Sequence, residues 1–139
     1  MVSLPEVPMF AVDPLTELFR TLRFPLEDAP VAPRAASEYV GTLRVEGRTR
    51  GWLEIWMPEP LARASAARLL ARDPGELDEL AALDGVQDLL AHLRERLAEP
   101  GRAIGEPTVA VRATNLHPGR AAALVVDGHP VQVRFAAAA

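Results

Sequence analysis

The sequence predicts a layered α/β domain with a largely antiparallel sheet, and three observations predict it. Residues 39–57 alternate in apolar character on either side of a glycine-containing turn, and residues 109–135 do so again around Asp127-Gly128. Between them lies a long segment whose apolar residues recur at steps of three and four. The resulting order (α, β, β, α, α, β, β, β) suits helices stacked on a sheet of hairpins. A chain of 139 residues is long enough for one such core and too short for two. A single domain is therefore expected over residues 13–139, preceded by a flexible arm over residues 1–12.

Composition removes several classes of function. A net charge of −4 and a pI near 5.4 argue against a nucleic-acid binder, which needs a surplus of positive charge against phosphate. The chain has no lysine, so every basic side chain is arginine. Without cysteine there are no disulfides, thiolate metal sites or thiol nucleophiles. His92, His117 and His129 stand apart, with no second ligand at metal spacing, so no metal is expected. The start of the chain lacks the basic and apolar regions of a signal peptide. No run reaches the length of a membrane span. A bacterial, cytoplasmic protein that binds no membrane is expected.

The elements follow in order. Asp13 has the chemistry of an N-cap and Pro14 that of a first helical residue, opening a short helix with Leu15, Leu18, Phe19 and Leu22 on one side. Residues 24–36, rich in Pro and Ala, read as a loop. In the first hairpin Tyr39, Gly41, Leu43 and Val45 alternate with Val40, Thr42 and Arg44. After the turn at 47–49, Leu53, Ile55 and Met57 alternate with Trp52, Glu54 and Trp56. Both tryptophans of the chain thus share one sheet face. Either the first helix covers them, or they form a subunit or partner surface, since exposed aromatic pairs mark interaction sites.

Leu61 to Arg72 forms an Ala-rich second helix. The long helix is expected to start at Asp73-Pro74 and stop at Pro100-Gly101, with Leu83, Val86, Leu90, Leu93 and Leu97 as its buried stripe. Gly85 within it is a tolerated defect, a break into two helices or a point of close approach. The tail is β: Val109, Val111 and Ala113 alternate, residues 115–119 turn, and a hairpin around Asp127-Gly128 closes the chain.

One polar cluster on the long helix has chemical potential. Asp84, Gln87, Asp88 and His92 fall on one face, being three or four residues apart. A carboxylate and an amide at that spacing, Asp84 and Gln87, would orient a water for attack on an acyl phosphate. A solvated acidic face is the plain alternative. There is no Gly-rich phosphate loop and no nucleophile elbow.

Taken together, GTLRVEGRTRGWLEIWM, LARASAARLLA, DGVQDLLAHLRERL, EPTVAV and ALVVDGHPVQVRF resemble the CheX-like phosphatases of bacterial chemotaxis, related to CheC, over residues 13–136. The resemblance implies a CheX-like (CheC-like) α/β fold with long helices packed on the sheet. It also implies a response-regulator receiver domain as partner. In such proteins an acidic residue and an Asn, three apart on the long helix, remove phosphate from the receiver; any Mg belongs to that receiver, and no cofactor of the chain's own is implied. Matching Val86, Leu89, Leu93 and Leu97 to the family's apolar positions puts the acid on Asp88 and the Asn position on Ala91. Alanine has no amide, so this register, the favoured one, implies a binding domain without catalysis. A shift of one turn places the pair on Asp84 and Gln87, but puts Gly85 and Asp88 where the family has apolar residues. The resemblance also implies a homodimer, with Trp52 and Trp56 as the place to look for its interface and His92 beside the receiver-facing surface. A small acidic secretion-type chaperone is a third reading, matched by the early Leu-rich helix and acidic pI but not by the terminal hairpin.

Overall fold

The computed structural model describes residues 9–27, 38–47, 50–112 and 121–137. Three helices, α1 (Met9–Thr21), α2 (Glu59–Leu70) and α3 (Glu79–Leu97), pack on one face of a seven-stranded sheet. The strands are β1 (Leu26–Glu27), β2 (Glu38–Gly47), β3 (Gly51–Pro58), β4 (Arg102–Ile104), β5 (Thr108–Arg112), β6 (Ala121–Val126) and β7 (His129–Ala137). They run in the order β1-β6-β7-β3-β2-β4, every pairing antiparallel, and β5 shares the outer edge of β2 with β4. The expected layer class holds, and β1 and β4 add to it.

Both hairpins keep the expected alternation. Tyr39 pairs with Met57, Gly41 with Ile55 and Leu43 with Leu53, so these residues share the helix-facing side with Val131 and Val133. Leu15, Leu18 and Phe19 of α1, Leu61 of α2 and Val86, Leu89, Leu90, Leu93 and Leu97 of α3 close over them. Each such side chain stabilises the fold by roughly 1.5–3 kcal/mol through removal from water. Asp127 and Gly128 both take positive φ, 51° and 77°, as a two-residue hairpin turn between Val126 and His129 requires. The 47–49 turn includes residues 48–49, which lie outside the described residues, as do 28–37 and the 115–119 turn.

Two helix starts differ from expectation. The first helix begins at Met9, not Asp13, and carries Pro14 inside it. Pro14 has no N–H to give the Phe10 carbonyl. Burial outweighs that loss: Ala11 and Val12 are in the core, and the Phe10 ring meets Phe135 edge to face at 5.7 Å. The described part of the expected arm, residues 9–12, is thus helical; residues 1–8 lie outside the description. Asp73 caps only a 3-10 turn (Pro74–Glu76), its side chain accepting from the Gly75 N–H. Asp78 is the cap of α3, accepting from the Ala81 N–H at 2.8 Å.

Of the three readings of Gly85, close approach is correct: α3 is continuous and Gly85 abuts Ala66 of α2. Gly41 does the same for the sheet, since a Cβ there would stand 2.2 Å from Leu90 Cδ1. These two contacts let α3 lie close against both neighbours.

Candidate functional site

The β2 edge explains how the α3 face is framed. β4 pairs with residues 45–47 of β2 and β5 with residues 38–42, so the connection Gly105-Glu106-Pro107 leaves the ladder between them. The Gly105 N–H still reaches the Arg44 carbonyl at 2.8 Å. At this junction the buried residues Ile104 and Pro107 have carbonyls that need donors. Side chains of α3 supply them. Gln87 Nε2 donates to the Pro107 carbonyl at 2.5 Å, and Arg94 Nε to the Ile104 carbonyl at 2.9 Å. Arg94 Nη1 also pairs with Glu106 at 2.8 Å. Gln87 and Arg94 are two turns apart, and Ala91 lies between them on the same side of the helix.

Asp84, Asp88 and His92 stand further round, facing solvent. His92 Nδ1 lies 2.8 Å from the Asp88 carbonyl. A carbonyl only accepts, so that nitrogen carries the proton, and Nε2 is the lone-pair nitrogen of the neutral ring. The Asp88 carboxylate is 3.9 Å from the same Nδ1, with both side chains about half exposed (52% and 50%). Among the described residues Asp84 makes no contact of this kind. The structure therefore gathers Asp84, Asp88 and His92 on one open face, with Ala91 at its border, and engages Gln87 elsewhere. Among the described residues no three His, Asp or Glu side chains group as metal ligands would. No helix there is long and apolar enough to cross a membrane.

The tryptophans separate. They do share the sheet face opposite the helices, as the alternation predicts, but Trp56 is 1% exposed and Trp52 47%. Trp56 sits in a cross-strand row with Val40 and Gln132, both buried. Trp52 is paired with Arg44, whose guanidinium stacks 5.6 Å from the ring centre. The expectation that α1 covers both is corrected, because α1 packs on the other side with Leu53 and Ile55. The expectation that both form a partner surface fails for Trp56, whose indole is already enclosed within this chain.

Sequence reading missed the Gln87 and Arg94 tethers and β4 itself. A signal was present: Gly105-Glu106-Pro107 places two strand breakers before a strand, and their carbonyls had to be satisfied from somewhere.

The architecture is the CheX-like fold of chemotaxis proteins. CheX from Vibrio vulnificus is similar with a TM-score of 0.68 and 20% identity, covering 98% of this chain and 100% of that one. CheX from Desulfovibrio desulfuricans gives 0.67 and 13%, covering 94% and 97%. CheX from Borrelia burgdorferi, solved as a complex with CheY, BeF3 and Mg, gives 0.65 and 14%, covering 96% and 99%. At these identities the likeness shows a shared fold. No family model matches the sequence, and no curated protein matches it significantly.

Proposed function

We propose that this chain is a CheX-like signalling domain that binds a response-regulator receiver domain through the exposed face of α3 without dephosphorylating it. The observation that carries the reading is the burial of Val86, Leu89, Leu93 and Leu97, at 1% exposure or less. These large side chains fit the register in which Asp88 is the acid and Ala91 occupies the Asn position, whereas the shifted register would set the small residues Ala82 and Gly85 at two of the same four buried positions. In the favoured register the acid is available to a partner's cation, while the methyl group of Ala91 has nothing with which to hold a water. The Borrelia CheX complex with CheY supports the choice of partner class.

The alternative site, Asp84 with Gln87, is weakened by the geometry. One Gln87 N–H is donated to the Pro107 carbonyl, which turns the amide toward the connection ahead of β5 and leaves its second N–H and its Oε1 to hold a water in that orientation alone. The chaperone reading has no support, since the fold is CheX-like.

Self-association is a second part of the proposal, favoured by the exposed Trp52 ring stacked with Arg44. Sedimentation at micromolar concentration tests it: a dimer that Trp52→Ala dissociates supports this face, and a monomer in the unaltered chain rules it out.

The decisive experiment follows the lifetime of the aspartyl phosphate on receiver domains of the same genome, with and without the chain. Binding to the receiver loaded with beryllofluoride, which stands in for the phosphoryl group, is scored in parallel. Binding with an unchanged lifetime is expected. Faster loss that Gln87→Ala abolishes would transfer the function to the shifted register, and absence of binding to every receiver would remove the proposal.

A further inference from the structure

The C-terminal ends of α1 and α2 meet at a recess of about 480 Å³ lined, among the described residues, by Thr21, Leu22, Arg23 and Arg68. Both charged residues among these are arginines, in a chain whose net charge is −4. Among the described residues Arg20, Arg44, Arg63, Arg94 and Arg102 each pair with a carboxylate, whereas Arg23 and Arg68, like Arg50, Arg72 and Arg96, pair with none there.

Arg68 is held in place from two sides. Its Nη1 donates to the Leu22 carbonyl at 2.8 Å, and its guanidinium carbon lies 3.7 Å from the centre of the Phe24 ring. The group is therefore oriented before any ligand arrives, and the donors it does not use on Leu22 remain for one. Arg23 is placed by the helix end itself. The Phe24 N–H bonds the Phe19 carbonyl and the Arg23 N–H bonds the Arg20 carbonyl, a Schellman arrangement in which Arg23 takes φ 65°. Glycine is the usual residue there, so a guanidinium is carried at a position that disfavours any side chain.

A helix C-terminus ordinarily repels anions. Here four carbonyls at the end of α1 are engaged: Leu18 accepts from Leu22, Phe19 from Phe24, Arg20 from Arg23, and Leu22 from Arg68. The recess beside them carries the positive charge of two arginines.

We infer that this recess binds a phosphate or carboxylate group through Arg23 and Arg68, at a site separate from the α3 face. Fork-shaped guanidiniums suit both anions, through paired N–H donors. The group belongs either to a free small molecule or to an acidic side chain of a protein, and the same chemistry serves each.

The test is thermal unfolding of the full chain in inorganic phosphate, against sodium chloride at matched ionic strength to remove general screening. A saturable rise in Tm with phosphate is expected, following the logarithmic dependence of ligand-linked stability. Arg23→Gly gives a diagnostic pair of effects. It relieves the left-handed strain and so starts from a higher Tm, yet binds phosphate about tenfold or more weakly, having lost charge-assisted hydrogen bonds. A rise no larger than that in chloride, or an equal rise in Arg23→Gly, overturns the proposal. Competition then separates the sources: a sugar phosphate that outcompetes inorganic phosphate points to a small molecule, and a glutamate-rich peptide that does so points to a protein carboxylate.

Discussion

Gly85 of α3 lies so close to Ala66 of α2 that a Cβ built on it would stand 2.1 Å from the Ala66 Cβ and 2.6 Å from its Cα. The second of these is a backbone atom that no rotamer change can move. Replacing a helical Gly by Ala ordinarily gains about 1 kcal/mol. Here the overlap costs about 1–3 kcal/mol, because α2 and α3 must separate to relieve it. Gly85→Ala is therefore expected to lower the denaturant midpoint, and Ala66→Gly in the same chain to recover part of the loss. A midpoint raised by Gly85→Ala alone would show that the helices are not held this close.

Ala91 supplies the functional prediction. Ala91→Asn supplies an amide three residues after the acid Asp88, on a helix face where Asp88 is half exposed, and adding Asp88→Glu extends the reach of the acid by one methylene. The double variant is expected to shorten the receiver's aspartyl-phosphate lifetime, with Ala91→Asn alone giving a smaller effect. Gln87→Ala is expected to leave the lifetime unchanged while loosening the Gly105–Pro107 connection, which hydrogen exchange would report as faster exchange at Gly105.

Tyr39 makes the alkaline limb of stability readable. Burial raises its phenol above the ordinary value of 10.0, the charges of Glu59 and Glu79 add to the rise, and Arg63 opposes it. The neutral phenol is thus favoured by folding, and its contribution is fully present below pH about 10, then lost as pH climbs through the raised folded value. The chain has one Tyr, no Cys and no Lys, so no other side chain titrates between pH 9 and 12. Unfolding free energy is expected to fall over that window, and Tyr39→Phe to flatten the fall. An unaltered slope in Tyr39→Phe would contradict the assignment.

The two tryptophans should respond oppositely to every probe. Acrylamide is expected to quench Trp52, which is 47% exposed, and spare Trp56, at 1%. Trp56→Ala should destabilise the monomer by about 3–5 kcal/mol. Trp52→Ala loses little beyond its exposed contact with Arg44, about 0.5–1 kcal/mol. Equal quenching of single-tryptophan variants would show that both rings meet solvent.

Arg23 and Ala71 hold φ values of 65° and 53° at the ends of α1 and α2. Each Gly substitution is expected to stabilise by about 1 kcal/mol, by removing the Cβ clash of a left-handed residue. Denaturant titration of the two single variants checks this, and an unchanged midpoint in both would place the strain elsewhere.

Period and turn chemistry made the hairpins, the α3 stripe, the shared face of Trp52 and Trp56 and the turn at Asp127-Gly128 legible in the sequence, because each depends on residues a few positions apart. The same reasoning placed Asp84, Gln87, Asp88 and His92 on one helix face, while only the family resemblance proposes Ala91 for the position of an amide. It did not reach what depends on segments remote along the chain. Packing of Phe10 on Phe135 set the start of α1 against the signal of Asp13-Pro14. Cross-strand neighbours enclosed Trp56 and left Trp52 open, although the pattern treats them alike. A carbonyl in the connection ahead of β5, twenty residues along the chain, engaged the Gln87 amide. Local sequence determines which way a side chain points; how deeply it is buried, and which group it bonds, is decided by whatever the rest of the chain brings to that face.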